Sequence, residues 1–376
     1  MIIACGIVVA DGAVYRPGWV QTEGDRIVGC GSGTPPKPAD ADFPDAVLVP
    51  GFVDIHVHGG GGHSYDRGAG ELAAAAEFHR SHGTTTTVAS LVSAAPAELL
   101  DQVRMLTEAT AAGTIAGIHL EGPWLAEPRC GAHDPLALRD PDAREIDTLL
   151  TAGDGAIRMV TLAPELPGAD AAIGQWVAAG VVVAVGHTDA SYEQAKRAIE
   201  RGARVGTHLF NAMRPLHHRD PGPVLALLED PRVTVELIAD GVHVHPALVH
   251  QVVQVAGPGR VALITDAMAA AGLGDGSYRL GTLQVQVAGS IARLRGCSTI
   301  AGSTATMDAV FRTAALGLEP QSDAALLHAV TMTSTTPART LGLDAGILAA
   351  GGPADAVLLD QQYRVQAVLS AGSWVP

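Results

Sequence analysis

"GFVDIHVHGG", residues 51–60, sets two imidazoles one residue apart inside an apolar run that then breaks into glycines. Side chains two apart in a strand share a face. His56 and His58 therefore project together, while Ile55 and Val57 face the other way. The fold follows from what repeats around this strand. From residue 47 onward, β-rich runs at 53–58, 85–91, 115–120, 158–162, 181–186, 204–209, 233–238 and 261–265 alternate with alanine-rich stretches. Stretches such as "GELAAAAEFHRSH", "AAIGQWVAAG" and "SYEQAKRAIERG" have helical spacing and a glycine or histidine at the exit. Eight strands, each followed by a helix, predict an α/β fold of the (β/α)8 TIM-barrel type, which takes roughly 250 residues. An open doubly wound sheet is the alternative, but no G-x-G-x-x-G follows an early strand.

The flanks read differently. Residues 1–49 and 345–376 carry short strands punctuated by Gly, Asp-Gly and Pro. They predict a small β-sandwich-like domain built from both termini, leaving residues 50–344 for the barrel. The stretch "SYRLGTLQVQVAGSIARLR" predicts a hairpin added after strand eight.

Composition narrows the function. Of 376 residues, 47% are apolar and 17% charged, which fits a compact globular protein. The net charge is −15, and lysine occurs only at 37 and 196, which argues against nucleic-acid or anionic-membrane partners. Four scattered cysteines without C-x-x-C pairing point to a reducing, cytoplasmic setting rather than a disulfide framework. The start, "MIIACGIVVADG", lacks a basic leader and alternates like a strand. No apolar run reaches the roughly 18 residues of a membrane span.

In a barrel, the C-terminal strand ends carry the chemistry. Strand one ends with His56 and His58, strand three with Glu121, strand five with His187, strand six with His208 and strand eight with Asp266. A single strand-end histidine is ordinarily a hydrogen-bonded structural group. Six such residues at matching ends predict a centre for Zn²⁺, Fe²⁺, Mn²⁺ or Co²⁺, all of which accept these nitrogen and oxygen donors.

The motifs "PGFVDIHVHG", "HLEGPW", "GAH", "GHTDA", "THLFNAM", "ADGVHV", "TDAM" and "AGS" occur in order between residues 47 and 340. In this the chain resembles the N-acetylglucosamine-6-phosphate deacetylases of the amidohydrolase superfamily. Many two-metal amidohydrolases bridge their ions with a carboxylated lysine after strand four. Here that strand ends "VTLAPE", and neither lysine is near. The resemblance makes Glu121 the substitute. It implies one ion on Glu121, His187 and His208, and a second shared with His56, His58 and Asp266. Relatives lacking the first H-x-H pair keep one ion; retention of the pair here implies two.

The same resemblance implies hydrolysis of N-acetyl-D-glucosamine 6-phosphate to glucosamine 6-phosphate and acetate by metal-activated water, with Asp266 as base and then acid. N-acetylgalactosamine-6-phosphate deacetylation, another amidohydrolase activity and a non-catalytic sugar-phosphate-binding barrel are the competing readings. Ala132, His133 and His243 match family positions near the sugar and its acetamide, and His119 is expected to support a ligand rather than be one. Asn211, Ala212 and Arg219 match the phosphate segment. In the family that arginine reaches the neighbouring subunit, so a homodimer is implied. The run Ile300, Ala301, Gly302 and Ser303 is expected to open a helix and offer amides to the ligand. One departure stands out: Arg129 and Cys130 precede "GAH", where the family often has lysine.

Overall fold

The computed structural model describes residues 1–317 and 322–375. Eight strands form one parallel sheet in chain order: Phe52–Val57, Thr84–Leu91, Gly117–Glu121, Ile157–Leu162, Val182–Val185, Val205–Gly206, Thr234–Ile238 and Val261–Ile264. Beyond the eighth strand, Asp266 N donates to His56 O at 2.9 Å and His58 N to Ala267 O at 2.8 Å, so the ring nearly closes. All eight strands expected from periodicity are present. Their near-total burial explains why they read as continuous apolar runs rather than alternating ones.

Helices follow the strands at the expected places, including Ala69–Ser81, Ala169–Ala178 and Tyr192–Arg201. The last begins with a reciprocal capping box, Ser191 with Gln194, and ends at Gly202 in the left-handed region. The segment after strand eight is a three-stranded antiparallel sheet, Gly276–Leu280, Leu283–Ala288 and Ile291–Leu294, one strand more than the hairpin expected. Among the described residues, no helix is long and apolar enough to cross a membrane.

The terminal strands build a separate eight-stranded sheet. Its order is Ser373–Trp374, Val365–Ser370, Ala356–Leu359, Ala41–Pro50, Ile2–Ala10, Gly18–Glu23 and Arg26–Ser32, with Ala13–Tyr15 paired to Ile2–Ala10. Both ends of the chain thus enter one sheet: Val357 lies opposite Val49, antiparallel. Ile3, Val8, Leu48, Leu358 and Leu369 fill its core. By internal packing, Met1–Asp54, Glu77–Thr86 and Thr306–Pro376 form one compact unit, and Ile55–Ala76 with Thr87–Ala305 the other. Every candidate site residue belongs to the second.

Candidate active site

His56 lies within the first strand and His58 just past its end, both buried. The glycines that follow have a steric reason. A Cβ on Gly59 would come within 2.3 Å of the His63 carbonyl oxygen, across the short pair Gly59–Gly60 and His63–Ser64.

Glu121 is the hub. Its Oε1 stands 3.0 Å from His208 Nε2, 3.1 Å from His187 Nε2 and 3.3 Å from His56 Nε2. Its Oε2 is 3.2 Å from His58 Nε2 and 3.3 Å from His133 Nε2. Asp266 Oδ1 reaches His58 Nε2 at 3.3 Å and His56 Nε2 at 3.6 Å. The sextet expected from the strand ends is therefore one cluster. Among the described residues, three groups have metal-holding geometry: His56, Glu121 and His208; His56, His58 and Asp266; and Glu121, His133 and His187.

Hydrogen bonding separates the histidines that present a free Nε2 lone pair to the cluster from the others. His187 Nδ1 lies 2.9 Å from the Arg129 carbonyl oxygen, which can only accept. That bond puts the proton on Nδ1 and leaves the Nε2 lone pair facing Glu121. His56 Nδ1 lies 3.1 Å from Glu236 Oε2, with the same consequence. His133 is the reverse case: the Ser93 amide donates to its Nδ1 at 3.1 Å, so the neutral ring carries its proton on Nε2. His133 is thus a donor facing Glu121, not a ligand. Burial pushes it down to about pH 4 in spite of the Glu121 carboxylate, which keeps it neutral. His119 has both nitrogens taken, by Ser90 Oγ at 2.9 Å and Thr161 Oγ1 at 2.8 Å, and stacks edge-on against His56, the supporting position expected of it.

Electrostatics call for a cation here. Burial disfavours charge on His58, yet Asp266 and Glu121 lift its pKa to about 9. Burial likewise opposes ionisation of Glu121, but His56, His133, His187 and His208 hold it well below the usual carboxylate range. Asp266 is pulled down to about 2 by His56 and His58 against the same burial penalty. Two buried carboxylates ringed by imidazole Nε2 atoms are a donor set that fits a divalent metal.

Three of these residues sit in strained backbone: φ is +47° at His187, +26° at His208 and +48° at Asp266. Strands five and six consequently end earlier than periodicity suggested, because the chain turns out of the ladder to aim each side chain at Glu121. Ser303 buttresses the third. Its amide donates to Asp266 O at 2.7 Å and its hydroxyl to Thr265 O at 2.5 Å.

A cavity of about 470 Å³ opens over the cluster, within the range of small-molecule sites. His133, His243, Asn211, Ala212, Ile300 and Gly302 line it, beside Ala132. His243 Nδ1 is 2.7 Å from Asp240 Oδ2. Burial opposes protonation of His243, but that carboxylate raises its pKa overall. One expectation is corrected. The run 300–303 does not open a helix, since the next helix starts at Met307; the amides of Ala301 and Ser303 are already bonded, to Ala292 O and Asp266 O. Arg219, expected at a neighbouring subunit's site rather than its own, is exposed, bonded to His218 Nε2 at 2.7 Å, and does not line its own chain's cavity.

Sequence reasoning missed Glu236, Ser93 and Asp189. Glu236 had a signal, a carboxylate inside the buried run "VTVELI". Asp189 bonds Arg129 Nε at 2.9 Å and Arg214 at 3.1 Å, tying two loops that border the cavity.

Comparison with known proteins agrees with this geometry. Residues 47–375 match the Amidohydrolase family. N-acetylglucosamine-6-phosphate deacetylase of Danio rerio is 36% identical over 354 residues, covering 89% of this chain and 85% of the relative. N-acetylgalactosamine-6-phosphate deacetylase of Escherichia coli O157:H7 is 36% identical over 366 residues, covering 94% and 95%. The N-acetyl-D-glucosamine-6-phosphate deacetylase of Mycobacterium smegmatis, solved as an aspartate-to-alanine mutant with N-acetyl-D-glucosamine-6-phosphate, is 54% identical. It superposes with a TM-score of 0.98, covering 100% of this chain and 98% of that one. The family implies a divalent metal, and the donor set accommodates one. The chain belongs to the amidohydrolase family and, within it, stands among the N-acetylglucosamine-6-phosphate deacetylases.

Proposed function

We propose that this chain hydrolyses N-acetyl-D-glucosamine 6-phosphate to D-glucosamine 6-phosphate and acetate. The observation that carries the reading is the cluster itself: a cation-seeking donor set on the floor of a sugar-sized cavity, in a chain 54% identical to a deacetylase solved with that compound. The galactosamine epimer is less favoured, since its deacetylase relative is 36% identical.

His56, His58, Glu121, His187, His208 and Asp266 would hold two ions, of zinc, iron(II), manganese or cobalt. A divalent metal bound there supplies Lewis acidity to the amide carbonyl and acidifies water. Asp266, held ionised, accepts the proton of the attacking water and delivers it to the amine nitrogen as the C–N bond breaks. His133 offers Nε2–H to the acetamide oxygen as negative charge grows on it. His243, oriented by Asp240, binds the sugar, with Ala132, Ile300 and Gly302 on the wall and the buried Ala301 and Ser303 holding that run in place. Asn211 and Ala212 meet the phosphate together with Arg219 from a second copy of the chain, in a homodimer; an exposed guanidinium outside its own cavity supports this. Sheet membership supports a small domain of residues 1–49 and 345–376 and a barrel of 50–344, and four free cysteines support a cytoplasmic enzyme.

The test is kcat/KM on both 6-phosphorylated epimers and on the unphosphorylated sugars, with elemental analysis of freshly purified protein. Preference for the N-acetylglucosamine phosphate with at least one bound metal is expected. Equal rates on the unphosphorylated sugar would sink the role of Arg219, and no amide hydrolysis on either epimer would sink the function.

A further inference from the structure

Glu236 lies mid-strand on Thr234–Ile238, fully buried among Val235, Leu237 and Ile238. A carboxylate there is costly without a task, because an apolar side chain would fill the position more cheaply. Its Oε2 makes two bonds, 3.1 Å to His56 Nδ1 and 3.2 Å to the His208 amide. Its own carbonyl oxygen accepts from the Leu209 amide at 2.9 Å. One residue therefore grips the strained His208 turn from side chain and main chain while holding His56 with its Nε2 toward Glu121 and Asp266.

We propose that Glu236 is a positioning residue that makes the cluster a two-ion site, acting through His56 and His208 and touching neither substrate nor reacting atoms. It assigns the His56 tautomer, and its negative charge makes that imidazole a stronger donor. In the reading above His56 holds the ion shared with His58 and Asp266 and not the one on Glu121, His187 and His208, so a loosened His56 weakens the shared ion first. This rests on the metal-dependent reading above.

The test titrates metal-free wild type, Glu236→Gln and Glu236→Leu with Zn²⁺ alone in a calorimeter, with a thermal melt of each metal-free protein. Wild type should take two ions. Glu236→Gln keeps an acceptor oxygen but loses the charge. It should weaken one ion about tenfold, leave the other within twofold and melt like wild type. Glu236→Leu should weaken both by 10- to 100-fold. Glu236→Gln binding two ions with wild-type constants overturns the proposal, as does a wild type that takes only one ion. If Glu236→Leu does not fold, Glu236→Gln alone decides. A wild type that takes two ions but fails to deacetylate the sugar phosphate removes the proposed function and leaves this inference standing on the titration.

Discussion

His187 and Arg129 are joined through main chain: the imidazole Nδ1–H donates to the arginine's carbonyl oxygen at 2.9 Å, while the guanidinium turns away to Asp189. The loop over the cavity is thus coupled to a metal-site residue without using a side chain of that loop. Asp189→Ala removes charge-assisted bonds to both Arg129 and Arg214 but leaves the carbonyl contact in place. The expected outcome is a KM raised about fivefold, equivalent to ~1 kcal/mol, with metal content unchanged. Steady-state kinetics with elemental analysis checks this; lost metal would show that the loop, not only its carbonyl, holds His187.

Asp266→Asn separates proton transfer from metal retention. Asparagine keeps one ligating oxygen and tolerates the left-handed backbone at this position. Turnover should fall by about 10²- to 10⁴-fold while metal content stays near the wild-type value. Residual activity within tenfold of wild type would remove Asp266 as base and acid.

Tautomers predict that His133 and His187 fail differently. His187→Ala should lose metal. His133→Ala should keep it and lose about 10²- to 10³-fold in kcat, the usual cost of deleting one donor to a developing oxyanion. Metal depletion in His133→Ala would place that ring among the ligands instead.

Acid stability has its own determinant away from the site. The carboxyl of Asp230, buried to 4% exposure, is held well below the ordinary aspartate range, chiefly by the hydrogen bond from Arg232, with Lys196 also contributing. A carboxyl depressed in the folded state stabilises the protein above its unfolded pKa of about 4 and loses that contribution as pH falls further. Arg232→Met should lower stability at pH 7 and flatten the loss of stability between pH 4 and pH 2. Urea unfolding across that range measures it; parallel curves for variant and wild type would exclude the pair.

Much of this was legible in the linear sequence, for physical reasons. Barrel strands are buried on both faces, so they stand out as apolar runs, and the strand-end polar residues of the cluster interrupt those runs at fixed places. His56, His58, Glu121, His187, His208 and Asp266 announced themselves that way. Asp189 did not, and Glu236 interrupts its run mid-strand rather than at the end, so its partners, far off in the chain, could not be read from it. The tautomer of His133 depends on a Ser93 amide 40 positions away, and no local pattern encodes it. The run 300–303 misled because small residues before a helical stretch look like a helix start, whereas two of its amides belong to pairings with Ala292 and Asp266.

The left-handed turns at His187, His208 and Asp266 bear on transplantation. Copying six side chains onto the strand ends of an arbitrary barrel would point them along ordinary β-geometry, away from a common centre. A successful graft would have to import the kinked peptide units and their buttresses, Ser303 and Glu236, as part of the centre. In this protein the geometry of the cluster is written in the backbone as much as in the side chains.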